Sequence, residues 1–231
     1  MIKRVVVISL GGSLIVPDEI NMNLLDKFKK ILEKNSKKNK FIVVCGGGNT
    51  ARTYIKGLDH GEIKNSFYLQ CLFGLEATRF NAKFMAYFFG NQANSYLPKD
   101  ISDIENLLKK NNYVFCGALR MNKGETSDAT AARLARYFNT IFINLTNVKG
   151  LYDQDPKRYP KARFIPEISH KEFYKKAKKI VFKPGQHFIL DKKAAKIIKK
   201  YNTYTYILGP DMKNLNNLLN NRHFVGTIID K

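Results

Sequence analysis

The stretch RVVVISLGGS, Arg4 to Ser13, decides the fold. Its first part, Arg4 to Leu10, is a β-branched run whose nearly continuous hydrophobicity suits a strand buried on both faces of a parallel sheet. The run ends in Gly11-Gly12-Ser13, where a strand would give way to a loop and then a helix. The pattern returns at Phe41 to Cys45, followed by Gly46-Gly47-Gly48-Asn49, and again at Tyr113 to Cys116, followed by Gly117 and Gly124. In open α/β sheets ligands bind at the carboxyl ends of the strands. Glycine lets backbone N–H groups approach phosphate oxygens closely, and a helix start adds favourable partial charge. One such loop is as well explained by a tight turn; three in a row argue for a phosphate-binding edge.

Between the strands the period changes. Leu24, Leu25, Phe28, Ile31 and Leu32 mark a helix over Asn23 to Glu33, and Asn65 to Phe89 reads as one long helix or a broken pair. Thr126 to Tyr137 is an Ala-rich helix, Thr140 to Leu145 a strand, and Asp153 to Pro160 a turn-rich segment. Lys192 to Tyr201, Thr203 to Leu208 and Asn214 to Leu219 read as helix, strand and helix. This alternation predicts an α/β fold with a mainly parallel sheet covered by helices. With no repeat, low-complexity linker or composition break, residues 1–231 read as a single doubly wound domain.

Composition narrows the class. A net charge of +21 raises a nucleic-acid partner, because lysines and arginines neutralise phosphates. The lysines, however, are spread along helix-like stretches such as Lys27–Lys40, Lys171–Lys179 and Lys192–Lys200, alternating with apolar positions. That spacing reads as solvated helix faces and argues against a nucleic-acid partner, although a basic protein still attracts anionic nucleotides. The three cysteines, Cys45, Cys71 and Cys116, form no C-x-x-C pair, so neither a disulfide framework nor a zinc site is expected. No apolar run reaches membrane-spanning length, and the short one at the start is broken by Gly11-Gly12 and Asp18-Glu19. The chain reads as soluble and cytoplasmic, without a membrane partner.

Several chemistries are disfavoured. There is no G-x-x-x-x-G-K-[ST] and no G-x-G-x-x-G after the first strand, so neither a P-loop nor a dinucleotide fold is expected. His60, His170, His187 and His223 are scattered without metal-ligand spacing and read as structural or surface residues. Ser13, Ser127 and Ser169 lack a nucleophile-elbow context. Thr126-Ser127-Asp128 admits two readings: an N-cap with a first-turn acid, or hydroxyls and N–H groups that hold a substrate phosphate. Both can be true together.

Five segments in order resemble the motifs of archaeal-type UMP kinases in the amino-acid-kinase superfamily. They are GGSLIVP from Gly11 to Pro17, GGGNTAR from Gly46 to Arg52 and ATRFNA from Ala77 to Ala82. GETSDA from Gly124 to Ala129 and TNVKGLYDQDP from Thr146 to Pro156 complete the set. Leu190-Asp191 before Ala194-Ala195-Lys196-Ile197-Ile198, and the closing Gly226-Thr227, extend the likeness from about residue 5 to the end. The resemblance implies a three-layer α/β/α sandwich of the carbamate-kinase-like kind, usually a hexamer built from dimers, that transfers the γ-phosphoryl of Mg-ATP to UMP. It implies that Ser9, Gly11, Gly12, Ser13, Gly48 and Arg52 line the ATP phosphates, and that Thr146, Asn147, Tyr152 and Asp155 bind the adenosine side. Gly47, Cys71 and the loop Met121, Asn122, Lys123, Gly124, Glu125, Thr126 and Ser127 would hold UMP. Arg52 would neutralise charge on the moving phosphoryl, and Asp128 and Asp191 would orient the site or its Mg²⁺, with no metal held by the protein alone.

The chain departs from the family at three points. Ser9 stands where many relatives have lysine, and Cys71 where the family usually has an aspartate bonded to the UMP ribose. Lys123-Gly124-Glu125 replaces a Pro-Gly loop. These departures leave open a different small phosphate or carboxylate acceptor, or a catalytically weak nucleotide-binding regulator that uses its basic surface to bind nucleic acid.

Overall fold

The computed structural model describes residues 3–59, 63–119, 126–179 and 190–231. The chain opens with β1 (Arg4–Leu10), the single turn α1 (Gly12–Ile15), α2 (Met22–Asn35), β2 (Asn39–Cys45), α3 (Gly48–Leu58) and α4 (Ser66–Phe89). Next come α5 (Ile101–Lys110), β3 (Tyr113–Cys116), α6 (Ser127–Tyr137) and β4 (Phe142–Leu145). A small antiparallel hairpin, β5 (Leu151–Tyr152) with β6 (Phe164–Ile165), follows, then β7 (Glu167–Ile168) and α7 (His170–Lys178). The chain closes with α8 (Lys192–Tyr201), β8 (Thr205–Leu208), α9 (Met212–Leu219) and β9 (Gly226–Ile229).

Seven of these strands form one sheet in the order β3-β2-β1-β4-β8-β9-β7. The run from β3 to β8 is parallel throughout; only the β8–β9 pairing is antiparallel. Residues at β1 show why it is central. Val6, Ile8 and Leu10 join a core with Phe28 of α2, Phe89 of α4 and Leu215 of α9, while Val7 joins one with Leu134 of α6 and Ile198 of α8. The strand thus has an apolar layer on each face, and the molecule is an α/β/α sandwich.

The order also creates a switch point. After β1 the chain steps outward to β2 and β3, then returns to place β4 on the other side of β1. Helices then start from side-chain caps near the strand ends: Thr126 accepts from Ala129 N, and Asp191 from Lys193 N and Ala194 N. Each such cap stabilises its helix by about 1 kcal/mol. The 66–89 segment is one helix rather than a broken pair, closed by Gly90 at φ 68. Among the described residues no helix is long and apolar enough to cross a membrane.

Candidate active site

The glycine loops meet at the carboxyl end of β1 and β2. A Cβ on Gly12 would lie 2.0 Å from Gly48 N, 2.6 Å from Gly46 C and 2.7 Å from Gly47 N. Gly46 faces Gly12 N at 2.4 Å in the same sense, so the two loops cross backbone against backbone. Gly48 sits at φ 61, the left-handed region where glycine is at home, and opens α3. Gly11 N donates to Leu145 O at 2.9 Å, tying the first loop to the end of β4. Backbone N–H groups of two helix starts therefore converge at the switch point, an arrangement that suits phosphate.

Two supports hold this crossing. Asn81, buried in α4, donates through Nδ2 to Gly46 O at 2.8 Å and Gly47 O at 3.1 Å. Thr78, one turn earlier, accepts from Ala118 N at 3.0 Å and packs against Gly117 after β3. Helix α4 thereby fixes the ends of both β2 and β3. Asn81→Ala leaves two buried carbonyls without their donor and is expected to cost about 1–3 kcal/mol. A thermal melt should show the loss, and an unchanged Tm would refute the clamp.

The first loop is also fastened to α3. Asn49 N donates to Val16 O at 2.8 Å, and the Arg52 guanidinium donates to Pro17 O at 2.9 Å. Arg52 is half-buried, one turn into the helix that Gly48 opens, with its cation held at the end of the first loop. Ser13 lies in the short α1.

On the opposite face of β1, side-chain alternation turns Ser9 toward α6. Ser9 Oγ donates to Asp128 Oδ1 at 2.7 Å. Thr126 Oγ1 donates to Asp191 Oδ2, and Asp191 also caps α8. Thr126 is thus a helix cap and a partner of an acid at once, so both readings of that segment contribute. Asp128 keeps some accessible surface but is densely surrounded; burial, then the nearby Asp191 carboxylate, push its pKa up to about 7, against the Ser9 hydroxyl. The folded carboxyl keeps its proton up to about 7 and the unfolded one releases it near 3.8, so this group removes stability as pH rises between the two. In Asp128→Asn that loss is absent. The Tm difference, variant minus parent, is expected to grow from about pH 4.5 to 7 and then level off; a difference flat across that range would contradict the raised value.

The remaining expected residues fall as follows. Thr146 and Asn147 follow β4, and Thr146 N donates to Leu208 O at 2.9 Å. Tyr152 lies in β5 with its ring edge against Phe164 at 5.6 Å. Asp155 accepts from Lys157 N and pairs with Arg158 at 3.7 Å on the surface, so here it shapes a turn. Gly47 faces Gly74 and Ala77 of α4, and Cys71 stands one turn before Gly74, half-buried and not in a disulfide. Met121, Asn122, Lys123, Gly124 and Glu125 lie outside the described residues, while Ser127 opens α6. His170 is buried against Thr203 O at 3.2 Å and His223 is exposed, while His60 and His187 lie outside the described residues.

Sequence reasoning did not assign Asn81 or Thr78 a role, nor Thr227, which accepts from Leu151 N and donates to Ile165 O to brace the 146–152 loop. Their signal was present: polar residues inside the quoted A-T-R-F-N-A and Gly-Thr strings at positions a packed helix or strand would bury.

Comparison with known proteins identifies the family of the fold. A model described as the amino acid kinase family matches residues 4–209. A protein named uridylate kinase from Methanococcus aeolicus is 33% identical over 97% of this chain and 99% of its own length. Another of that name from Thermoplasma volcanium is 33% identical over 98% and 97%. The crystal structure of uridylate kinase from Archaeoglobus fulgidus superposes with a TM-score of 0.82 at 32% identity, covering 98% of this chain and 99% of that one. UMP kinase from Ureaplasma parvum, at 22% identity and a TM-score of 0.77, shares the fold.

Proposed function

This chain belongs to the amino acid kinase family, and on that premise we propose that it transfers the γ-phosphoryl of ATP to UMP, giving UDP and ADP. The observation that carries the reading is the crossing of Gly12 with Gly46 and Gly48 at the sheet's switch point, beside Arg52 and the Ser9–Asp128 pair. Phosphoryl transfer needs positioning and charge neutralisation more than covalent chemistry. Backbone N–H groups around Gly11, Gly12, Ser13 and Gly48 would hold the ATP phosphates, and Arg52 would balance charge on the moving group. Thr146, Asn147, Tyr152 and Asp155 would border the adenosine. Gly47, Cys71, Thr126 and Ser127, with the 121–125 loop, would receive UMP.

Magnesium would enter on the nucleotide. No group of three or more His, Cys, Asp or Glu side chains gathers among the described residues, and Asp191 already accepts from Thr126, Lys193 N and Ala194 N. Triphosphate oxygens and water, with Asp128 alongside, suit a small hard cation that sheds water reluctantly. Bound there, Mg²⁺ would neutralise phosphate charge. Ser9 would hold Asp128 in place, and Asp191 would hold the Thr126 hydroxyl at the start of α6.

The working enzyme is proposed as a single-domain kinase of the cytosol, where Cys45, Cys71 and Cys116, none of them in a disulfide, would stay reduced. It is further proposed to self-associate, in the hexamer built from dimers that the resemblance implies. The exposed rings of Tyr54, Phe73, Phe80 and Tyr87 on α3 and α4 support association, since large aromatic side chains left open to water favour an interface.

Coupled ADP release with UMP, CMP, dUMP and small carboxylates as acceptors tests the function. UMP is expected to stimulate release most; a preferred carboxylate, or none of the acceptors acting, would overturn it. Cys71→Asp checks the acceptor side, since a carboxylate is the stronger hydrogen-bond partner for a ribose hydroxyl. We expect a KM for UMP unchanged or up to about tenfold lower at similar kcat. A rise in KM would mean that position 71 does not face a ribose hydroxyl and would overturn this placement.

A further inference from the structure

Lysines that are scattered in sequence come together in space on the outer layer formed by α7, α8 and α6. On α7 the residues Lys171, Tyr174, Lys175 and Lys178 follow one helical face, while Phe173 and Ala177 are buried beneath it. On α8, Lys192, Lys196, Lys199 and Lys200 stand opposite the buried Ala194, Ala195 and Ile198. Two rings join the faces. Lys178 Nζ and Lys199 Nζ lie 5.8 Å and 5.1 Å from the Tyr174 ring, and Arg136 of α6 and Lys200 lie 5.0 Å and 5.1 Å from the Tyr201 ring. Cations from three helices therefore share one surface rather than three separate ones.

Little neutralises this surface. The sequence of α8 contains no acid, and α7 contains one, Glu172, held to Ser169 at its own N-terminus. Lys171, Lys175, Lys178, Lys192, Lys196, Lys199 and Lys200 are all exposed to solvent. Like charges this close repel one another, and a polyanion laid across them would relieve that repulsion and release its own counterions.

We propose that the α6–α7–α8 face is a docking surface for single-stranded nucleic acid, separate from the phosphoryl-transfer site. Charge complementarity with a phosphate backbone selects a polyanion, and the exposed Tyr201 ring, 43% accessible between two cations, offers a base a stacking platform. An anionic membrane is the poorer match. Surface-binding helices insert an apolar face into lipid, and the apolar faces of α7 and α8 are already spent in the core.

The test is fluorescence anisotropy of the full chain with a labelled oligo-dA strand of about 20 nucleotides, a length that spans one or two such sites. The parent should bind, and its affinity should fall steeply with salt. The variant Lys175→Glu/Lys178→Glu/Lys196→Glu/Lys199→Glu should bind at least about tenfold more weakly, with the slope of log affinity against log salt reduced by about 3. Lys27→Glu/Lys30→Glu/Lys34→Glu/Lys37→Glu, on and just after α2, carries the same change in net charge and should lose much less. Melting curves check that both variants fold, and the corresponding glutamine variants replace any that do not. Equal losses in the two variants would show that net charge alone drives binding and overturn the proposal. So would no binding by the parent, or binding to phosphatidylserine vesicles without binding to the strand. ADP release should be unchanged in the α7–α8 variant, which separates failure of this surface from failure of the kinase reading.

Discussion

Gly12→Ala is expected to lower turnover by about 100-fold or more and to cost about 3 kcal/mol of stability. The added methyl would stand 2.0 Å from Gly48 N and under 3 Å from Gly46 and Gly47, all backbone, so no side chain can swing aside. The two loops must separate by about an ångström or more to restore ordinary contact. The same N–H groups that are to hold phosphate would then point to the wrong place, and misplacement on that scale is worth about two orders of magnitude in rate. For a chain of this size the stability loss corresponds to a Tm drop of roughly 6–12 °C. Kinetics and a melt on the same preparation check both parts. An alanine variant with parental turnover would mean that the crossing is not where phosphoryl transfer occurs.

Arg52→Ala is the second large effect, expected at about 1,000-fold in kcat with a smaller change in KM. Arg52 has a visible structural task, donating to Pro17 O across the first loop. The two roles predict different patterns. Loss of the loop anchor alone would lower Tm and disturb ATP binding. Loss of a cation facing the transferred group would strike kcat. Arg52→Lys separates them further, because an ammonium keeps the charge but not the planar fork, and partial recovery of kcat is the expected outcome. Unchanged turnover in Arg52→Ala would remove Arg52 from the chemistry.

Much of the fold was legible because buried parallel strands need apolar residues on both faces. Arg4 to Leu10 and Phe41 to Cys45 carry that signature, and the glycines after them mark the ends where the site lies. Strand bounds drifted where β-branched and aromatic residues with strand propensity sit just ahead of the paired segment. Thr140 and Ile141 precede β4, and Thr203 and Tyr204 precede β8. The helix Ile101–Lys110 was not read from the sequence, although Asp100 caps it and Ile104, Leu107 and Leu108 mark its buried side. The antiparallel return of β9 leaves no local mark, since its four residues would read the same in either direction.

For the site, residue types were legible but contacts were not. That Asn81 would reach Gly46 and Gly47, some 35 positions away, depends on how α4 packs. The spread of lysines gave solvated helix faces as the local reading. Only the packing of α7 and α6 against α8 makes them one surface. Asp128 reads in sequence as a first-turn acid favoured by the helix dipole; its raised pKa comes from burial and from Asp191, which is distant along the chain.

The most direct test of the central claim follows the phosphorus atom itself. With ATP labelled at its γ-phosphorus and UMP as acceptor, the label should appear in the β-phosphate of UDP, in step with ADP formation and only when UMP is present. Label recovered solely as inorganic phosphate, or in no product whether or not UMP is added, would contradict the assignment.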